Sequence, residues 1–177
     1  MPDLTFRPAT FDDVDRLQAF VHAAYRGDSA RRGWTHEADL LDGQRTDVEA
    51  LRAMLDDPTY VILLAERGEA LAGCVSVNYK GDGLAYLGML SVDPSRQGEG
   101  LGRRLIAAAE AEAADRFGAR RMEMTVIVQR RELIDWYVRC GYAGTGETRP
   151  FPAADPRFGL PRRDDLAFTV LARDLFA

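Results

Sequence analysis

The chain has 177 residues, of which 46% are hydrophobic and 29% are charged, and it carries a net charge of −5. These values are typical of a globular domain, and the negative charge argues against general binding to nucleic acid. No apolar run reaches membrane-spanning length, and the N-terminus has neither the basic nor the apolar region of a secretory signal. We therefore expect one domain over residues 1–177, located in the cytoplasm, without a membrane or nucleic-acid partner.

The hydrophobic periodicity predicts elements in the order β-α-α-β-β-β-α-β-α-β-β. The first half begins with a short edge strand at 4–8 and continues with a helix that Thr10 caps and that ends near Gly27. A polar loop with one irregular helical turn is expected over 28–45. The capping box Thr46-Asp47-Val48-Glu49 then predicts a second helix, which stops before Pro58.

The second half predicts an antiparallel run of strands followed by a β-α-β crossover. The order of elements favours a mixed α/β sheet over a doubly wound one, in which strands and helices would alternate from the start. We expect the stretch 144–163, rich in Pro and Gly, to be an ordered loop near a site. The remaining predicted elements are strands at 60–66, 70–79, 84–92, 122–128 and 166–171, and helices at 101–117 and 132–139.

A glycine-rich turn is the most informative feature of the sequence. It reads Gln97-Gly98-Glu99-Gly100-Leu101-Gly102, and it lies between a predicted strand and a predicted helix. Glycines let a backbone approach a ligand closely, and the first N–H groups of a helix lack partners within the helix. A strand, a glycine-rich turn and a helix N-terminus together predict a site for a phosphate or pyrophosphate.

The spacing of the residues in this turn distinguishes between three known phosphate-binding motifs. A P-loop requires a lysine after its last glycine, and Lys80 is the only lysine of the chain. A dinucleotide fingerprint that starts at Gly98 has Arg103 where its third glycine belongs. A third pattern, Gln/Arg-x-x-Gly-x-Gly/Ala, is satisfied by Gln97, Gly100 and Gly102, and it resembles the acyl-CoA-binding loop of the GNAT acyltransferase superfamily. A simple glycine-containing turn remains the alternative.

A second segment, residues 122–142, is also similar to the GNAT pattern. In that family a strand is followed by Asn-x-x-Ala-Ile-x-Phe-Tyr-x-x-x-Gly-Phe. Two positions depart from it, because Arg130 stands where Asn is usual and Leu133 where Ala is usual. The matching residues are Ile134, Trp136, Tyr137, Gly141 and Tyr142.

The resemblance implies the GNAT fold, an α/β structure with a mostly antiparallel central sheet that is splayed at two strands and has helices on both faces. It also implies acetyl-CoA as the acyl donor and an amine as the acceptor. The strand residues Leu90, Ser91 and Val92 are expected to pair with the pantetheine arm, and Arg130 to reach a phosphate of the coenzyme. The residues expected at the pyrophosphate are Gln97, Gly98, Glu99, Gly100, Leu101, Gly102 and Arg103.

The resemblance places Tyr137 near the departing sulfur, as the proton donor, and the alternative is a core aromatic. Glu123 is a candidate base, and a paired or exposed strand residue is an equal alternative. Trp34 and Glu37 are candidates for holding a cationic amine, although a solvated loop is also consistent with them. No metal is expected, since the chain has only two histidines and no C-x-x-C spacing.

The leading hypothesis is an acyl-CoA-dependent N-acyltransferase that acts by direct attack of a primary amine. The alternative is a catalytically silent CoA-binding sensor or regulatory module, favoured by the Arg130 substitution and by the absence of an acid in the strand at 84–92. The sequence names neither the acceptor nor the acyl chain. A monomer and a homodimer are both compatible with it.

Overall fold

The computed structural model describes residues 2–25, 46–152, 155 and 159–176, together with the backbone of 41–42. Its longer elements before the glycine-rich turn are β1 (Leu4–Pro8), α1 (Val14–Tyr25), α2 (Val48–Asp56), β3 (Tyr60–Arg67), β4 (Ala70–Gly81) and β5 (Leu84–Val92). After the turn come α3 (Leu101–Phe117), β6 (Arg121–Ile127), α4 (Arg131–Arg139), β7 (Ala143–Pro150) and β9 (Ala167–Asp174). Two short strands, β2 (Leu41–Asp42) and β8 (Leu160–Pro161), pair with each other.

A seven-stranded mixed sheet has the order β1-β3-β4-β5-β6-β9-β7. Only β5 and β6 pair in parallel, because α3 carries the chain across the sheet between them; the other neighbours are antiparallel. The predicted fold class, the edge position of β1 and the crossover are therefore confirmed.

The sheet is buried between two helical layers. Alternate residues of β3 face opposite layers, as the two-residue period of a strand requires. Ile62 and Leu64 belong to the core beneath α1 and α2, whereas Leu63 and Ala65 belong to the core beneath α3 and α4. This explains why the sequence of β3 is an unbroken apolar run. No helix in the described part of the chain is long and apolar enough to cross a membrane.

Two predictions about local structure were wrong. The stretch predicted as a loop from Gly144 contains β7, whose backbone pairs with β9 at Ala143–Gly144 and again at Thr148–Pro150, although nearly all its side chains are exposed. An exposed edge strand needs no apolar alternation, so the hydrophobic pattern gives no signal for it. The N-cap of α2 is Asp47 rather than Thr46, because the Asp47 carboxylate accepts a hydrogen bond of 2.7 Å from the Ala50 amide.

An ion-pair cluster fixes the start of α1 to the sheet edge. Asp13 accepts hydrogen bonds from the Arg7 and Arg16 guanidinium groups at 2.8 Å, and from the Thr10 amide at 2.8 Å. Both arginines also bond to Glu66 on β3. The hydrogen bond from Arg7 is the main reason why the pKa of Asp13 lies well below the ordinary aspartate value of 3.8.

Asp13→Asn is expected to lower the free energy of unfolding at pH 7 by about 1–2 kcal/mol, the range of a helix cap plus a charged hydrogen bond. A larger loss is not expected, because the Arg7 and Arg16 side chains are 39% and 37% exposed and solvent screens them. A group with a lowered folded-state pKa stabilises the fold above its unfolded pKa and loses this effect as the pH falls. The difference between the two proteins should therefore shrink below about pH 4.

Urea denaturation at pH 7 and pH 3 measures this effect. Asp12→Asn is the matched control, because Asp12 lies in the same turn and is exposed. It should leave the unfolding free energy within about 0.5 kcal/mol of the unchanged protein. An equal loss in both variants, or a difference for Asp13→Asn that is no smaller at pH 3 than at pH 7, would contradict this account.

Candidate active site

A kink in β5 opens the sheet. The parallel pairing of β5 with β6 covers only Leu84–Tyr86 and ends where the two strands diverge. Farther along, the register against β4 shifts between Gly88 and Ser91, and Met89 adopts a left-handed backbone with φ of 53°. Such a bulge bends a strand. The central sheet is therefore splayed at β5 and β6, as the resemblance implies.

Side chains hold this bulge in place. The Met89 carbonyl accepts hydrogen bonds from the Ser91 hydroxyl at 3.0 Å and, weakly, from the Cys74 thiol at 3.6 Å. The Tyr25 hydroxyl at the end of α1 donates to the Leu90 carbonyl. The left-handed backbone at Met89 is thus stabilised by side chains of α1, β4 and β5.

A first cleft lies between the glycine-rich turn and α4. It has a volume of about 590 Å³. Of the residues predicted to bind the donor, those that line it are Leu90, Val92, Gln97, Gly98, Gly100, Leu101, Gly102 and Arg103. The sequence-predicted phosphate site and the end of β5 therefore share one cleft.

Two glycines of the turn adopt a left-handed backbone conformation, with positive φ. Gly98 and Gly100 have φ of 92° and 77°, and Gly100 is the N-cap of α3. A Cβ on Gly102 would lie 3.0 Å from the Trp136 ring, so a glycine lets α4 approach α3 closely here. The first turn of α3 brings amides without partners within the helix to the cleft, where they attract an anion.

Charged side chains surround this helix terminus. The cations Arg96, Arg103 and Arg139 line the cleft, and the Arg103 guanidinium donates to the Arg139 carbonyl at 3.3 Å. The neighbouring Arg104 lies over the Phe6 ring, 5.5 Å from its centroid, and therefore packs on β1 instead.

The second cleft, of about 400 Å³, lies in the gap between the splayed strands. Its walls combine apolar side chains with hydroxyl groups; Tyr86 and Thr125, for instance, share a hydrogen bond of 2.5 Å. Arg130 lines this second cleft, whereas the sequence predicted it beside a phosphate of the donor. It is the only charged residue among the described residues of this lining. The described lining residues are Tyr25, Thr46, Ala50, Met54, Tyr60, Ser76, Tyr86, Leu87, Gly88, Met89, Leu90, Met124, Thr125, Val126, Ile127, Arg130, Leu133, Tyr137, Phe151 and Phe168.

The two clefts meet at Tyr137. Tyr25, Leu90, Leu133 and Tyr137 line both of them. Tyr137 is 6% exposed, and its ring contacts the Trp136 ring edge-on at 5.0 Å. Burial raises the pKa of Tyr137 well above its ordinary value, so its hydroxyl keeps its proton at neutral pH. A proton donor therefore lies where the clefts join.

Three other predicted residues do not line either cleft in the described part of the chain. Glu123 lies where β5 and β6 are still paired, and its carboxylate accepts a hydrogen bond of 3.1 Å from Arg149. Ser91 is buried, with its hydroxyl on the bulge. The Glu99 carboxylate forms an ion pair of 3.3 Å with Arg67. The roles predicted for Glu123 and Glu99 therefore receive no support from position, whereas the role predicted for Ser91 belongs to its backbone.

Trp34 and Glu37, predicted on the acceptor side, lie outside the described residues and stay predictions. Sequence reasoning missed Tyr25, which it read only as the end of a helix. A tyrosine at the C-terminus of a helix that packs on the sheet was the available signal. Among the described residues, no group of His, Cys, Asp and Glu could hold a metal ion.

The sequence profile of the acetyltransferase (GNAT) family matches residues 28–142. The chain belongs to the GNAT family. Acetyl-CoA is the acyl donor of GNAT acetyltransferases. None of the curated proteins searched matches this GNAT chain.

Solved structures share the GNAT fold over nearly the whole chain. The protein yncA from Salmonella typhimurium, solved with its cofactor acetyl-CoA, is 22% identical, with a TM-score of 0.69 over 97% of this chain and 94% of that one. Spermidine N-acetyltransferase from Vibrio cholerae, in complex with CoA and spermine, is 15% identical, with a TM-score of 0.70 over 97% and 95%. A GNAT acetyltransferase from Streptococcus pneumoniae is 17% identical, with a TM-score of 0.68 over 97% and 99%. At these identities the likeness establishes the fold.

Proposed function

We propose that this GNAT protein transfers an acetyl group from acetyl-CoA to a primary amine by direct attack of the amine. The observation that carries the proposal is the meeting of two clefts at Tyr137. One cleft has the helix terminus and the cations that suit a pyrophosphate, and the other has room for an acceptor. The same seven-stranded sheet carries the elements that line both clefts. We therefore propose that residues 1–177 form one acetyltransferase domain.

The first cleft fits an acyl-CoA donor in both charge and shape. The turn from Gly98 to Gly102 offers backbone amides to the pyrophosphate, and Arg103 adds positive charge. Beyond Tyr86 the edge of β5 is not paired with β6, so Leu90–Val92 can bind the pantetheine amides as an added strand would. The donor supplies an activated thioester carbonyl at the gap between the strands.

In the proposed transfer step, Tyr137 acts as the general acid. The neutral amine nitrogen forms a bond to the thioester carbonyl carbon, the carbon–sulfur bond breaks, and the sulfur leaves with the electron pair. The Tyr137 hydroxyl gives its proton to that sulfur, and the proton that the nitrogen loses restores the phenol. Since the acceptor enters as an ammonium ion that must first be deprotonated, the net reaction releases one proton to solvent.

Calorimetric titration with acetyl-CoA, combined with a free-thiol release assay over a panel of amines, tests the proposal. We expect binding of acetyl-CoA together with turnover of at least one amine, and acetylation of that amine should be verified by mass spectrometry. Binding without turnover of any amine would instead favour the silent CoA-binding module. Tight binding of ATP or NAD without binding of CoA would overturn both.

A further inference from the structure

Two guanidinium groups come together at the first cleft. Arg103 lies in the first turn of α3, Arg139 is the last residue of α4, and both line the cleft. The Arg103 guanidinium donates to the Arg139 carbonyl at 3.3 Å, which places the two residues side by side. Burial raises the pKa of the Cys140 thiol, and the positive charges of Arg103 and Arg139 both oppose this effect, so both lie near that thiol. The last turn of α4 therefore brings a second cation to the N-terminus of α3.

Neither of these two guanidinium groups forms an ion pair with a described residue. Arg96, the third cation of the described lining, differs in this respect because it pairs with Asp93 at 3.9 Å. The acids of the described lining, Glu132 and Asp135, lie about 10 and 6 Å of helix rise before Arg139. Two neighbouring cations without an acidic partner repel each other, and an anion between them would stabilise both.

The first cleft has a buried end and an open end. Tyr137, which is 6% exposed, lies where this cleft meets the second one, whereas Arg139 is exposed. The two residues are two positions apart on α4, so helical geometry turns their side chains about 160° from each other. A donor with its thioester at Tyr137 and its pyrophosphate at the glycine-rich turn therefore has its nucleotide at the open end, on the side of Arg139.

Coenzyme A carries a third phosphate beyond its pyrophosphate. This phosphate is a monoester on the 3′ carbon of the same ribose that holds the pyrophosphate on its 5′ carbon, so it must lie close to the turn. A phosphate monoester has a charge of about −1.5 to −2 at pH 7 and three acceptor oxygens. A guanidinium has several N–H donors in a planar fork that matches phosphate oxygens, and Arg103 uses one nitrogen on the Arg139 carbonyl.

We infer that Arg139, together with Arg103, binds the 3′-phosphate of the acyl-CoA donor and thereby distinguishes CoA from dephospho-CoA. The inference rests on the donor site of the proposed function and names the residues that select the donor there. The alternative is that both arginines are solvated surface cations, in which case the 3′-phosphate would contribute nothing measurable to affinity.

Calorimetric titration of CoA and of dephospho-CoA into the protein tests the inference. The two ligands share the pantetheine arm and the pyrophosphate, so the ratio of their Kd values isolates the 3′-phosphate. In about 50 mM salt we expect CoA to bind about tenfold more tightly, the effect of a charge-assisted hydrogen bond. Because the arginines are exposed, the ratio should fall to about threefold or less in about 500 mM salt.

Arg139→Gln should raise the Kd of CoA about fivefold and leave the Kd of dephospho-CoA within about twofold. Arg139→Lys should keep part of the preference, because the charge remains without the planar fork. Arg131→Gln is the matched control, since Arg131 is an exposed residue of the same helix that lines neither cleft. It should keep both Kd values and their ratio.

Two outcomes would overturn the inference and leave the proposed function intact. One is equal affinity of the unchanged protein for CoA and dephospho-CoA, and the other is an equal loss for both ligands in Arg139→Gln. If neither ligand binds, the donor site fails and the inference fails with it. If CoA is preferred in the expected way but no amine is acetylated, the inference stands and the proposed function fails.

Discussion

Tyr137→Phe should lower kcat by about 10²-fold or more and leave the affinity for acetyl-CoA almost unchanged, which is the effect of losing a general acid. The substitution removes one hydroxyl from the point where the two clefts meet and keeps the ring that packs against Trp136. Because burial keeps the phenol protonated, this hydroxyl is the group that can protonate the departing sulfur. Thiol release at saturating acetyl-CoA measures kcat, and calorimetry measures the affinity.

Tyr142→Phe is the control for this variant. The Tyr142 ring lies 6.3 Å from the Tyr137 ring and is also buried, but its hydroxyl donates to the Glu110 carboxylate at 2.9 Å and lines neither cleft. It should lose about 1 kcal/mol of unfolding free energy and keep kcat within about twofold. Similar losses of kcat in both variants would mean that Tyr137 acts through packing, and an unchanged kcat in Tyr137→Phe would remove its role as the acid.

The parts of the fold that the sequence predicted are those with strong local signals. The apolar run of β3, the alanine-rich α3 and the glycines between β5 and α3 each determine a local conformation, and together they define the crossover that places the first cleft. The same signals located Gly98 and Gly100 in that cleft, because a positive φ at a helix start is a requirement that glycine meets at little cost.

The parts that the sequence did not predict depend on contacts between distant residues. The bulge at Met89 is stabilised by Tyr25 and by Ser91, and its left-handed backbone is unusual for a methionine, so no local pattern marks it. The β7 strand is held by pairing with β9 and has no apolar face. The ion pair of Glu123 with Arg149 likewise joins residues of two separate strands.

Arg130 illustrates the limit of family-based reasoning. Its position in the motif suggested a contact with the donor, because the family commonly has an asparagine there. In the structure Arg130 is the N-cap of α4 and belongs to the lining of the second cleft.

Gly100→Ala should weaken binding of acetyl-CoA by about tenfold, or about 1.4 kcal/mol. Gly100 adopts φ of 77° at the N-cap of α3, where an alanine costs about 1–2 kcal/mol. The alanine either relaxes toward a negative φ, which moves the amides of the first turn, or keeps its backbone and projects a methyl group from the wall of the cleft. Both outcomes impair an anion site built from backbone N–H groups. Calorimetric titration with acetyl-CoA measures the change.

Gly118→Ala separates this effect from a general loss of stability. Gly118 ends the same helix with φ of 64°, and neither glycine has an atom within 4 Å of its added Cβ. The two variants should therefore lose similar unfolding free energies, yet only Gly100→Ala should lose affinity, because Gly118 lies 17 residues of helix away from the cleft. Equal losses of affinity would mean that the coenzyme responds to the stability of α3 as a whole, and unchanged affinity in Gly100→Ala would contradict a pyrophosphate site at this turn.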